Sequence, residues 1–152
     1  MNLDDYVARV RALIAQHGWT VISVADDPPV SYTVGLTRAF GHPELIIIGL
    51  DDHRTMQRVL NDAVREICEK GRFEPFTECD RIFEGYKAYV LPVDLSVHGR
   101  LNVATALLGE GQFSALQIVW PDREGRYPFQ PGCDPDVVGG QPILGPTQPL
   151  RH

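Results

Sequence analysis

The chain has 152 residues and a formal net charge of −6, from 14 Lys and Arg against 20 Asp and Glu, with 43% hydrophobic and 22% charged residues. That length fits one domain that buries a core without a disulfide or structural metal, and the composition is not that of a disordered chain. The acidic balance argues against non-specific nucleic-acid binding and against an anionic membrane surface, since both reward a basic patch.

Residues 4–16 predict the first helix, because Leu3, Tyr6, Val7, Val10, Leu13 and Ile14 recur at three and four residues. Asn2 or Asp4 can cap its start, and Gly18 can end it. Trp19 to Val24 and Val30 to Leu36 alternate as two strands of a hairpin, joined by the turn Ala25-Asp26-Asp27-Pro28-Pro29. Thr37 to Pro43 reads as a loop. Glu44 to Gly49 then reads as a central strand, apolar on both faces.

The strongest helix is predicted over 52–69, with Asp51 as its N-cap and Met56, Val59, Leu60, Ala63, Val64 and Ile67 as its stripe. Cys68, next to that stripe, is expected to be a buried thiol. Residues 72–83 carry no clear period. Strand character returns at 85–94, where Pro92 should mark an edge or a strand end. A short helix is expected at 97–108, stopped by Gly109-Glu110-Gly111, followed by a strand from Phe113 to Trp120 whose polar exception is Gln117. Seven of the 12 prolines fall at 121 or beyond. Residues 131–152 are therefore expected to be a Pro/Gly-rich extension, packed on the domain or partly disordered, behind a compact unit at 1–130.

These elements predict an α+β fold: a mainly antiparallel or mixed sheet, with a partly closed barrel as an alternative, packed by about three helices. The start MNLDDYVARV has no basic region leading into an apolar run, and the three cysteines include no CxxC pair, so a reducing, cytoplasmic setting is expected.

Standard catalytic signatures are missing. There is no GxSxG elbow, no Gly-rich phosphate loop, no HExxH and no finger-like His/Cys spacing, so no metal site is assigned. His17, His53 and the acid pairs Asp26–Asp27 and Asp51–Asp52 have sufficient roles at helix ends and turns. Two segments retain candidate ligand-binding side chains. The first is SYTVGLT followed by GHPEL, carrying Thr37, Arg38, His42 and Glu44 at a strand end. The second is ALQIVWPD followed by GRYPF, where Gln117, Trp120, Asp122 and Tyr127 either wall a pocket or anchor the tail over the core.

Those segments carry a resemblance. YTVGL (32–36), HPEL (42–45), IGL (48–50) and ALQIVWPD (115–122), followed by Gly125 and Pro128, resemble an uncharacterised bacterial family, domain of unknown function 4262, over roughly residues 17–130. The resemblance implies a compact domain of bacterial origin and carries over no catalytic residue. A weaker likeness, in TVGLT (33–37) and PELIIIGL (43–50), is to flavin-reductase-like split barrels, in which strand-end loops hold a flavin phosphate. The favoured reading is a small-molecule or cofactor-binding protein with a pocket near 35–44 and 117–129. A non-catalytic interaction module, able to pair with a protein partner or a second copy, is one alternative. A flavin-dependent oxidoreductase-like protein is the other.

Overall fold

Strands β1 (Thr20–Val24), β2 (Val30–Val34), β3 (Glu44–Ile48), β4 (Thr77–Cys79), β5 (Ala88–Pro92) and β6 (Ala115–Val119) form one sheet in the computed structural model, which describes residues 2–95, 101–109 and 111–149. Their order is β1-β2-β3-β6-β5-β4. All neighbouring pairs are antiparallel except β3 and β6, which run parallel with Glu44 beside Ala115 and Ile46 beside Gln117. The sheet is open, with β1 and β4 at its edges. The fold is thus α+β with a mixed sheet. No barrel closes, and nothing in the topology carries the closure that the split-barrel likeness implies.

Two helical layers cover the sheet. Helix α3 (His53–Lys70) lies on one face, where its stripe of Met56, Val59, Leu60, Ala63, Val64 and Ile67 meets Leu45 and Ile47 of β3, Leu116 and Ile118 of β6, and Val90 of β5. Burying side chains of this size contributes about 1.5–3 kcal/mol each before ordering costs. Helices α1 (Leu3–His17) and α4 (Asn102–Leu108) cover the other face, against Ile22, Val30, Tyr32, Val34, Ile46 and Ile48. The alternation of β3 puts Leu45 and Ile47 on one side and Ile46 and Ile48 on the other, which is why that strand has no polar face. Asn2 caps α1 by accepting from the Asp5 N–H at 2.8 Å. No helix among the described residues is long and apolar enough to cross a membrane.

The rest of the second face is closed by the C-terminal segment. Leu144 is fully buried in the α1–α4 core, and Tyr127, Phe129 and Ile143 pack on Leu91 and Val119. A short helix, α5 (Pro135–Gly140), capped by Asp134, lies within this segment.

Several expectations shift. Five helices are present among the described residues, because Leu36–Phe40 form a short helix, α2, where a loop is expected from the sequence, and α5 forms within the expected extension. The N-cap of α3 is Asp52, whose side chain accepts from the Thr55 N–H at 2.8 Å, while Asp51 takes a left-handed φ of 56° in the preceding turn. Pro92 is the last residue of β5, so it ends the strand without interrupting a ladder. Cys68 is exposed: it lies one residue beyond Ile67, a rotation that carries it off the buried stripe. The expected start of the fourth helix at 97, and His98, lie outside the described residues.

Candidate functional site

At the amino ends of β3 and β6, the loop 35–44 is built around a buried carboxylate. Glu44 is fully buried and accepts from Thr33 Oγ1 (2.9 Å), Leu36 N (3.1 Å), Thr37 N (3.0 Å) and Thr37 Oγ1 (2.6 Å), with Gly35 N at 3.4 Å. The three backbone N–H groups among them belong to the start of α2, whose first donors have no intrahelical partners. Gly35 makes the corner possible: its φ is 120°, and a Cβ there would lie 2.6 Å from the Gly18 carbonyl oxygen. His42 is also buried and internally committed. Its Nδ1 donates to the Pro43 carbonyl at 2.7 Å and its Nε2 accepts from the Phe73 N–H at 3.0 Å, which defines a neutral tautomer. Burial, then the Arg72 charge, lowers its pKa below the ordinary 6.5, against the Pro43 bond and the charges of Glu44 and Glu74. Arg38 donates to the Leu107 carbonyl at 3.3 Å, tying α2 to α4.

The second set of sequence candidates holds the C-terminal segment. Gln117, fully buried in the middle of β6, donates from Nε2 to the Pro142 carbonyl (2.9 Å) and accepts at Oε1 from the Leu144 N–H (3.0 Å). Its amide therefore stands in for a backbone neighbour. Gln141 does the reverse, accepting from Trp120 N and donating to Trp120 O, both at 2.8 Å. Asp122 accepts from Glu124 N, Arg126 N and Asp134 N, each at 2.9 Å. The Arg126 N–H above all, with those of Asp134 and Glu124, holds its carboxyl down at about 2. Tyr127 donates to the Lys87 carbonyl at 2.8 Å and stacks on Phe129 at 5.7 Å. Burial, followed by the Glu78 charge, pushes its pKa up to about 12.

The two candidate segments do not meet. Residues 35–44 lie at the amino end of the parallel pair, and Trp120, Asp122 and Tyr127 lie beyond its carboxyl end, with Gln117 between them. Thr37 and His42 line an open hollow of about 420 Å³ of mixed polar and apolar lining, with Arg72 and Phe113.

The apolar cavity of interest is at the carboxyl end. Leu50, Phe83, Tyr86, Trp120 and Pro121 wall a cleft of about 230 Å³, with Asp122 and Arg123 at its border. It continues into a groove of about 600 Å³ that shares Leu50, Phe83 and Tyr86 and runs along α3 past Thr55, Arg58 and Asp62 to Arg81 and Glu84. The topology explains the opening. From β3 the chain leaves to α3 on one face; from β6 it leaves toward Tyr127 and Leu144 on the other. Diverging exits from adjacent parallel strands open a crevice at their carboxyl ends, where open α/β sheets place ligands. The Trp120 indole is fixed by its Nε1–H donating to the Ile48 carbonyl at 2.8 Å, and Tyr86 is held 50% exposed at the mouth.

Of the sequence candidates, Trp120 and Asp122 border this cleft. Leu50, Phe83 and Tyr86 are missed: Phe83 ends the stretch without a period, and Tyr86 falls in the expected strand at 85–94, of which only Ala88–Pro92 is strand. The available signal is only the recurrence of aromatic residues at 83 and 86 beside glycine 85.

Ser31 Oγ and His53 Nδ1 are 3.4 Å apart, but Ser31 is fully buried under α3 and presents nothing to a substrate. Burial and the Asp122 carboxylate push the Cys133 thiol up, away from thiolate chemistry. Among the described residues, no three His, Cys, Asp or Glu side chains gather to hold a metal ion. A wider groove of about 840 Å³ between α1 and the β1 edge is lined by Asp26, Asp27, Ser23 and Tyr32, whose hydroxyl oxygen accepts from the Val103 N–H at 3.2 Å.

No curated protein and no solved structure matches the chain. A family model does: residues 13–134 match the model described as Domain of unknown function (DUF4262), and the chain belongs to that family.

Proposed function

We propose that this protein binds a small molecule with a flat apolar body in the cleft walled by Leu50, Phe83, Tyr86 and Trp120. The observation that carries the reading is the almost wholly apolar wall of this cleft, with aromatic rings converging at the carboxyl ends of the one parallel strand pair. Ligand pockets combine such a wall with a few polar groups at the rim. The cleft and its adjoining groove together reach the size that small-molecule sites occupy, about 300–1,000 Å³. The loop at 35–44 is read as scaffold, because its carboxylate and imidazole are spent internally. The net charge of −6 supports a ligand other than nucleic acid, and three unbridged cysteines support a reducing, cytoplasmic setting.

The test uses phenylnaphthylamine, a neutral dye that fluoresces in apolar sites, with a Trp19→Phe background leaving Trp120 as the sole indole. Dye binding should quench Trp120. Tyr86→Ser and Phe83→Ala should each weaken dye binding about tenfold, near the loss of one well-packed ring contact. Unchanged affinity in both variants, or a dye that leaves Trp120 unperturbed, would place the ligand elsewhere.

A further inference from the structure

We infer that the ligand of this cleft is an aromatic anion, with its acidic group held by Arg58 from the α3 side and Arg123 from the β6 side; the inference rests on the pocket reading above. Six charged side chains border the cleft and its groove: Arg58, Arg81, Arg123, Asp62, Glu84 and Asp122. Three of them are already committed. Asp62 pairs with Arg65 at 3.5 Å, and Asp122 is occupied by three backbone N–H groups and by Arg126 at 3.5 Å. Arg81 Nε lies 3.0 Å from Glu66 Oε2, a contact without hydrogen-bond alignment but a close ion pair that neutralises both. The remaining groups are two guanidinium ions and one carboxylate, Glu84. Arg58 and Arg123 make no hydrogen bond or ion pair among the described residues.

Two free guanidinium groups flanking an aromatic wall suit one ligand type well. The wall takes a flat ring by stacking, and the planar forks of arginine take a carboxylate, sulfonate or phosphate on that ring by paired charge-assisted hydrogen bonds. A cationic ligand would meet both arginines at the rim and find only Glu84 to offset them. A neutral ligand would use the wall and leave the arginines idle.

A matched pair of dyes separates these cases. Phenylnaphthylamine is neutral, and anilinonaphthalene sulfonate is the same skeleton with a sulfonate. The wild-type protein should bind the sulfonate more tightly at low salt, and the advantage should shrink as salt is raised. Arg58→Gln and Arg123→Gln should each weaken sulfonate binding about threefold, and together about tenfold, with no change for the neutral dye. Glu84→Gln should strengthen sulfonate binding. All three positions are exposed surface residues, so folding is not at stake. If both dyes bind equally and the arginine variants move neither, the anion assignment fails while the pocket stands. If the neutral dye does not bind the wild type at all, the pocket reading falls and takes the anion assignment with it.

Discussion

The two ends of the β3–β6 pair are built on opposite principles. At the amino end, polar side chains are dense but closed on themselves: five donors converge on Glu44, and both ring nitrogens of His42 are used. At the carboxyl end the charged groups stand at the rim, the wall is apolar, and Tyr86, Arg58 and Arg123 have surface left to offer. A buried polar group is tolerated only when its hydrogen bonds are made. A segment rich in such groups is therefore often the one whose chemistry is used up in folding. Binding capacity is found where groups remain unpaired and concave apolar surface remains uncovered.

The largest effect that would test this contrast is the loss of Glu44. Glu44→Ala leaves the Thr33 and Thr37 hydroxyls and the first N–H groups of α2 without an acceptor inside the protein. With each unsatisfied group worth about 1–3 kcal/mol, the expected destabilisation is about 3–5 kcal/mol, read from urea unfolding. The folded fraction should still bind phenylnaphthylamine with wild-type affinity. A stable Glu44→Ala protein with altered dye binding would reverse the roles assigned to the two ends.

A smaller effect is expected midway along β6. Gln117→Leu fits the apolar surroundings but strips the Pro142 carbonyl and the Leu144 N–H of their partner. The expected cost is about 2–3 kcal/mol. Limited proteolysis should then cut within 131–149 before it cuts elsewhere. If cleavage remains confined to other sites, the segment is held by Leu144 and Gln141 without need of Gln117.

How much of this was readable beforehand depends on the range of the interaction. Local periodicity announces α1, α3 and every strand except β4, which lies in the unpatterned stretch 72–83, because stripes of period 3.6 and 2 are written into consecutive residues such as Met56, Val59, Leu60 and Ala63. The helix at 36–40 is not announced. Its cap is a glutamate eight residues downstream of its first residue, delivered by a neighbouring strand rather than by an adjacent Ser or Asp. Gln117 is visible as a polar break in an apolar strand, but its partners are 25 and 27 residues away. The cleft is the least legible feature. It is assembled from the turn after β3, the loop before β5 and the exit of β6, and no single window of sequence contains all three.

The smallest effect concerns pH and comes from the closed end. His42 must stay neutral, since protonating Nε2 abolishes its acceptance from the Phe73 N–H and sets a positive charge near Arg72. Its native pKa is lowered below 6.5, first by burial, so between the two values the unfolded chain binds the proton that the native state refuses. Stability from this group is therefore complete above the unfolded value and declines as pH falls through about 6.5 toward the lower native value. Urea midpoints taken at about pH 7.5 and about pH 5.5 should fall more for the wild type than for His42→Gln, which cannot titrate. Phenylnaphthylamine affinity should be flat over the same range, because no histidine among the described residues borders the cleft. An equal fall in both proteins would mean that another group carries the pH response. A dye affinity that tracks the titration would couple the two ends of the sheet, which the separate hydrogen-bond networks of His42 and Trp120 give no path to do.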